Sequence, residues 1–276
     1  MNRLRRLFRE MKYSSKEVKP YVGGRVGILT ANLILDDLER IFLIFMLLIG
    51  MYGALDAAYI FYNADVRVQG FQNKPGAVAE LKEIVGQGYT AWLHMQDTKI
   101  DYPVMQGPDN TTYLSMNPYG EYSLSGSIYL DAYNKRDYSQ QYNLLYGHHM
   151  ENEFMFGALD AYSNEKYLKE HMYGWLETDF GEYYKLTAFT FINGDASDEE
   201  IFDTTLPNRN LVEYGKGRQV VYIPGIYDGS QKILALTTCK TPASTRRTIV
   251  LCVMEKADAS IVEQYGDTDR TESIIG

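Results

Sequence analysis

Three residue types, each at the end of an apolar run, make up a chemical set. Ile233-Leu234-Ala235-Leu236-Thr237-Thr238-Cys239 ends on a thiol, and seven residues separate it from a second run that opens Arg247-Thr248-Ile249-Val250-Leu251. About ninety residues upstream of the cysteine, Leu144-Leu145-Tyr146-Gly147-His148-His149 carries imidazole at its tip. A thiol, an imidazole and a guanidinium are the parts of acyl transfer through a thioester. The thiol attacks a carbonyl, the imidazole moves the proton, and the guanidinium steadies charge on the attacked oxygen. Each residue alone has an ordinary reading: a turn histidine, a solvated strand-end arginine, a packed cysteine. Neighbours on an extended strand point opposite ways, so only one of His148 and His149 can face a given thiol. Arg246 and Arg247 pose the same choice, and strand phase puts Arg247 first. Thr238, beside the thiol, either hydrogen-bonds loop backbone or substrate or is simply a β-branched strand residue.

The elements that must position these groups are short and mostly extended. Runs rich in Tyr, Thr, Ile and Val, separated by Gly, Asn, Asp and Pro, predict strands over 91–95, 102–106, 127–130, 141–146, 173–177, 184–192, 219–223, 233–238 and 248–254. Helices are predicted over 75–85, where Val78, Leu81, Ile84 and Val85 form an apolar side, over 151–159, and over 197–204 behind an N-cap serine. Residues 258–276 read as a surface tail or short helix. Many short strands with few helices predict a mixed or closed barrel.

Charge is uneven. Residues 1–40 hold nine Lys/Arg and five Asp/Glu, a net of +4, so the rest of the chain carries −13 of the total −9. An acidic body excludes nucleic acid as the expected partner, because phosphate binding needs a basic face. The sign changes at an apolar stretch, 39–62, long enough for the roughly 20 helical residues that span a bilayer core. Its basic flank precedes it, which predicts a cytoplasmic N-terminus and an external body. A cleaved signal peptide is the other reading, but the apolar region is long and begins far from the N-terminus. Of the two cysteines, alternation from Arg247 puts Cys252 with Thr248 and Val250 on one face, as a small core residue, while Cys239 sits at a strand end. No Cys/His/carboxylate cluster has metal-ligand spacing, and no cofactor is expected.

Five ordered motifs carry a family resemblance. Trp92-Leu93-His94-Met95 followed by Ile100-Asp101-Tyr102-Pro103-Val104-Met105-Gln106-Gly107 resembles the opening of the class B sortase domain, W-I-x-I…I-D-Y-P-V-V-Q. Tyr113-Leu114 and Gly126-Ser127-Ile128-Tyr129-Leu130-Asp131 are similar to its Y-L…G-S-I-F-L-D. Asn143 to Met150 resembles N-x-x-x-Y-G-H-x-M, Leu236 to Cys239 resembles L-[ST]-T-C, and Arg247 with its strand resembles R-[IFL]-V, except that Thr248 replaces the apolar residue. The motifs span roughly 89–254.

The resemblance implies a mostly β fold with a few helices, a sortase-type eight-stranded barrel preceded by a transmembrane helix. The domain organisation that follows is a basic tail at 1–38, an anchor at 39–62, a helical lead-in at 63–88 and a catalytic barrel at 89–276. It makes Cys239 the nucleophile, His148 the general acid/base and Arg247 the stabiliser of oxyanion and substrate; beside them, Thr238 and Tyr146 are the candidate substrate-binding residues. It implies partners as well: a surface protein or pilin bearing a C-terminal sorting signal of the LPXTG or NPXTN kind, cut after its threonine, and an amine of the cell-wall precursor or a pilin lysine. The segment 193–218, where class B enzymes carry a long helix, holds one short helical patch and then Pro207-Asn208-Arg209-Asn210. A pilin polymerase, a binding domain without turnover and a cysteine hydrolase stay open beside wall anchoring.

Overall fold

The computed structural model describes residues 22–64, 85–86, 88–207, 209, 211, 214, 218–239 and 245–265, without the side chains of 22–34, 60–64, 219–220 and 239. The basic tail before residue 22, nearly all of the lead-in helix expected at 75–85 and the tail beyond 265 lie outside the described residues. The chain divides near residue 58 into two units. The first is built on one helix, α1 (Val22–Ala64). Its stretch Leu35–Tyr59, with a mean hydropathy of 2.1, is long and apolar enough to cross a membrane.

Among the described residues the second unit holds nine strands: β1 (Tyr89–Met95), β2 (Asp101–Met105), β3 (Ile128–Leu130), β4 (Tyr142–Gly147), β5 (Tyr173–Thr178), β6 (Tyr183–Asp195), β7 (Gln219–Tyr222), β8 (Lys232–Cys239) and β9 (Arg246–Ala257). Eight of them close a ring in the order β5-β1-β2-β3-β4-β8-β9-β6, because β5 pairs again with β6. The long β6 serves two neighbours along one edge. Residues 183–187 pair with β5, and beyond a bulge at 188/190 residues 190–192 pair with β7. Closure removes the exposed edges that an open sheet would present. All nine runs expected to be strands are strands, shifted by a few residues at their ends.

Two helices differ from expectation. Residues 151–159 do not form one helix but two 3-10 turns, Glu151–Glu153 and Phe156–Ser163. Asn152 and Glu153 within the first turn, and Met155 just before the second, take positive φ of 58°, 64° and 51°, which one continuous right-handed helix does not accommodate. The patch at 197–204 shortens to α3 (Glu199–Phe202), preceded by α2 (Glu165–Glu170), which sequence did not suggest. Ser197 is not the cap of α3, because its N–H and hydroxyl both donate to Asp195. Asp198 takes the cap position instead. A last helix, α4 (Ser260–Gln264), follows β9.

The packing explains why β4, β8 and β9 read as continuous apolar runs rather than alternating ones. Leu145, Leu234, Leu236, Val250 and Cys252 join the main core, which draws on every strand of the ring. Their alternates Leu144, Ile233, Ala235, Ile249 and Leu251 form a second cluster, closed by Ile201 and Leu211 from the β6–β7 connection. Both faces of this part of the sheet are therefore buried. That rigid centre ends, at one edge, in the three chemical groups.

Candidate active site

Strand register brings the three groups into one row. β4 and β8 run parallel, and their last pair is Gly147 with Thr238. The next residues along the two strands are His148 and Cys239. β8 and β9 run antiparallel, pairing Thr238 with Thr248 and Cys239 with Arg247. The nucleophile candidate thus stands on the central strand of three, with its partners on the flanking ones. Only the backbone of Cys239 is described, so its thiol lies outside the described residues.

The two strand ends are held tightly. A Cβ at Gly147 would come within 2.5 Å of Ile128 Cδ1 and 2.7 Å of the Phe156 ring, so only glycine fits before His148. Phe156 N–H donates to the His148 carbonyl at 3.0 Å. A Cβ at Gly157 would collide with the Met150 carbonyl, and its absence lets the Phe156–Ser163 turn fold close against residues 148–150.

His148, Gly147, Thr238, Thr237 and Arg247 border a cavity of about 500 Å³ whose remaining wall is mainly aromatic, from Tyr129, Tyr146 and Phe202. Tyr146 stacks between Tyr129 and Phe202, with ring centroids 5.2 and 6.3 Å apart. Its hydroxyl donates to the buried Asp131 carboxylate at 2.9 Å. Asp131 also accepts from Asn110 Nδ2, Thr204 Oγ1 and the Tyr133 N–H, at 2.8, 2.9 and 2.9 Å. One carboxylate therefore ties the end of β3, β4, the 110 loop and the β6–β7 connection around the cavity. Sequence reasoning quoted Asp131 within a motif but gave it no role. Phe202 and Asn110 left no signal of their own.

Electrostatics differ among the members. Burial pushes the His148 pKa below its usual 6.5. Burial, and then the adjacent Asp131 charge, hold the Tyr146 phenol well above its ordinary range, so it stays a hydrogen-bond donor. Arg247 has an acidic neighbour in Asp195. Hydrogen bonds from Thr245 and Ser197, and lastly the Arg247 charge, hold its carboxyl down to about 2. A permanent anion therefore shares the guanidinium's field. The second histidine is paired elsewhere, His149 Nε2 lying 2.9 Å from Asp160 Oδ2.

Cys252 is the core residue expected, fully buried, with burial pushing its thiol up to about 12. It pairs with Leu234, five positions along β8 from Cys239. At about 3.3 Å per residue the two cysteines stand roughly 16 Å apart, well beyond disulfide reach.

No family model matches the chain. The structure of a Streptococcus pyogenes class B sortase involved in pilus biogenesis is 31% identical with a TM-score of 0.60, the match covering 66% of this chain and 100% of that one. The structure of Clostridium perfringens sortase B is 28% identical with a TM-score of 0.58, covering 64% of this chain and 98% of that one. Sortase B of Listeria monocytogenes is 29% identical over 199 residues, 68% of this chain and 77% of that protein. Matching architecture, full coverage of one such relative and a cysteine, a histidine and an arginine in register at adjoining strand ends lead to one conclusion: the chain belongs to the class B sortases and is a cysteine transpeptidase.

Proposed function

We propose that Cys239 attacks the threonine carbonyl of a C-terminal sorting signal of the LPXTG or NPXTN kind, and that the acyl group then passes to an amine of the cell wall. The observation that carries this reading is the backbone row of His148, Cys239 and Arg247, whose two outer members border one cavity. The thiolate adds to the carbonyl, and Arg247 with a backbone N–H steadies the oxyanion. His148 in its imidazolium form protonates the departing amine as the C–N bond breaks, leaving a thioester. An incoming amine loses its proton to His148, adds to the thioester, and expels the thiolate. Burial disfavours the imidazolium of His148, and the positive charge of Arg247, paired with Cys239 across β8 and β9, favours the thiolate. Thr238 and Tyr146 line the substrate, and the aromatic wall suits the apolar part of a signal peptide.

The proposed setting is a single-pass anchor within 39–62, a cytoplasmic tail at 1–38, a lead-in at 63–88 and an external catalytic barrel at 89–276. The apolar stretch Leu35–Tyr59 and the basic residues before it support this orientation. A second reading, transfer to a pilin lysine, is favoured by the pilus-biogenesis sortase among the relatives.

Intact-mass spectrometry of the full chain in detergent, with LPXTG and NPXTN peptides and beside Cys239→Ala, tests the reading. The expected result is an acyl adduct ending at threonine that requires Cys239 and is discharged as an amide. Offering a wall-precursor peptide and a pilin-lysine peptide together separates the two acceptors. No adduct from any signal peptide, while a small reagent still labels Cys239, would contradict the proposal.

A further inference from the structure

One carboxylate reaches both flanks of the row. Asp160, on the Phe156–Ser163 turn, accepts from Thr248 Oγ1 at 3.0 Å through Oδ1 and lies 2.9 Å from His149 Nε2 through Oδ2. His149 directly follows His148, and Thr248 directly follows Arg247. The same turn also donates the Phe156 N–H to the His148 carbonyl. β8, which carries Cys239, runs between the two strands so joined.

The Thr248 hydroxyl gives the clamp a chemical reason. Thr248 is fully buried and pairs with Thr238 on one side and Asn193 on the other. A buried hydroxyl needs a partner, and Asp160 supplies it.

We propose that Asp160 is a positioning residue: by holding His149 and Thr248 it fixes the backbones that present His148 and Arg247 on either side of Cys239. The inference rests on the catalytic roles proposed above. It acts through geometry, and small misplacements of reacting groups are costly to rate.

The test is a double-mutant cycle of Asp160→Ala and Thr248→Val in the full chain, with Asp160→Asn and His148→Gln in parallel, reading kcat, KM and thermal stability. Asp160→Ala is expected to lower kcat roughly 10- to 100-fold with KM little changed. The double variant is expected to be no worse than Asp160→Ala, because that change already removes the Thr248 contact along with the His149 one. Asp160→Asn, whose amide oxygen still accepts from Thr248, is expected to recover most of the rate. Wild-type kcat in Asp160→Ala, fully additive losses, or a fall that only tracks lost folded protein would overturn the proposal. If His148→Gln is inactive while Asp160→Ala is not, the clamp alone fails. If His148→Gln keeps its activity, the underlying assignment fails instead.

Discussion

The protein holds two histidine–carboxylate pairs of similar length in very different surroundings. On β1 and β2, His94 Nδ1 lies 3.1 Å from Asp101 Oδ1, and the Trp92 indole donates to the same oxygen at 2.8 Å. His94 and Asp101 are fully buried, and the imidazole stacks on Trp175. Just past the end of β4, His149 and its partner Asp160 on the Phe156–Ser163 turn are partly exposed, and His149 borders the cavity with His148. By bond geometry alone the first pair resembles a catalytic dyad as closely as the second. Access separates them: no substrate atom can reach His94, so its pair serves as a buried polar tie between neighbouring strands. The same contrast divides the cysteines, Cys252 within the sheet and Cys239 at its edge.

The comparison is most sharply broken at the cysteines. Cys239→Ala should abolish transpeptidation, a loss of roughly 10⁴-fold or more. Cys252→Ala should instead leave the specific activity intact and cost about 1–2 kcal/mol through the cavity left behind. Peptide-cleavage kinetics and urea melts of both variants check the pair, and equal activity losses would end the distinction.

Next in size is Arg247→Ala, expected to lower kcat about 10²- to 10³-fold, the usual effect of losing an oxyanion donor. Steady-state kinetics decide it, and a purely KM effect would reassign the guanidinium to ground-state binding. Asp101→Ala is its buried counterpart. It removes the acceptor shared by the Trp92 N–H and the His94 ring, and should cost about 2–4 kcal/mol of stability with unchanged kcat per folded molecule. Denaturation with active-site titration would show it.

A smaller effect is the titration of His148. Burial lowers its pKa, so in Cys239→Ala, where no thiolate favours the imidazolium, its NMR titration midpoint should fall below 6.5. Since the folded value lies below the unfolded one, this site contributes a stability cost that appears as pH falls through the unfolded value. A midpoint above 6.5 would mean that a nearby anion outweighs burial. Smallest is Tyr146→Phe, which removes one of the hydrogen bonds to Asp131 and should cost about 1 kcal/mol.

The row of candidate residues was legible because strands announce themselves by composition, and their ends carried the unusual side chains. The nine runs could be located, and alternation from Arg247 put Cys252 on the core face. What sequence could not supply was register. Nothing in 144–149 or 233–239 says that β4 and β8 pair in parallel with Gly147 opposite Thr238. The 3-10 turns after His149 were misread as helix because three non-glycine residues adopt positive φ, in a segment held by contacts from the β1–β2 hairpin about fifty residues upstream. Lys99 Nζ donates to the Asn152 carbonyl at 2.7 Å, and the Met155 N–H donates to the Tyr102 hydroxyl at 3.1 Å. Asp131 and Asp160 were invisible for a related reason. Each joins segments far apart in the chain, and a carboxylate in a turn looks the same whether solvated or holding a site together.

The central claim is that His148, not His149, stands beside Cys239. The most direct measurement is the pH dependence of Cys239 alkylation by iodoacetamide in the native chain, His148→Gln and His149→Gln. Cys252, buried and with a raised pKa, stays silent in this assay. The account predicts two inflections in the native profile, the acidic one lost in His148→Gln and kept in His149→Gln. A profile unchanged by His148→Gln, or an acidic inflection that vanishes with His149→Gln, would contradict it.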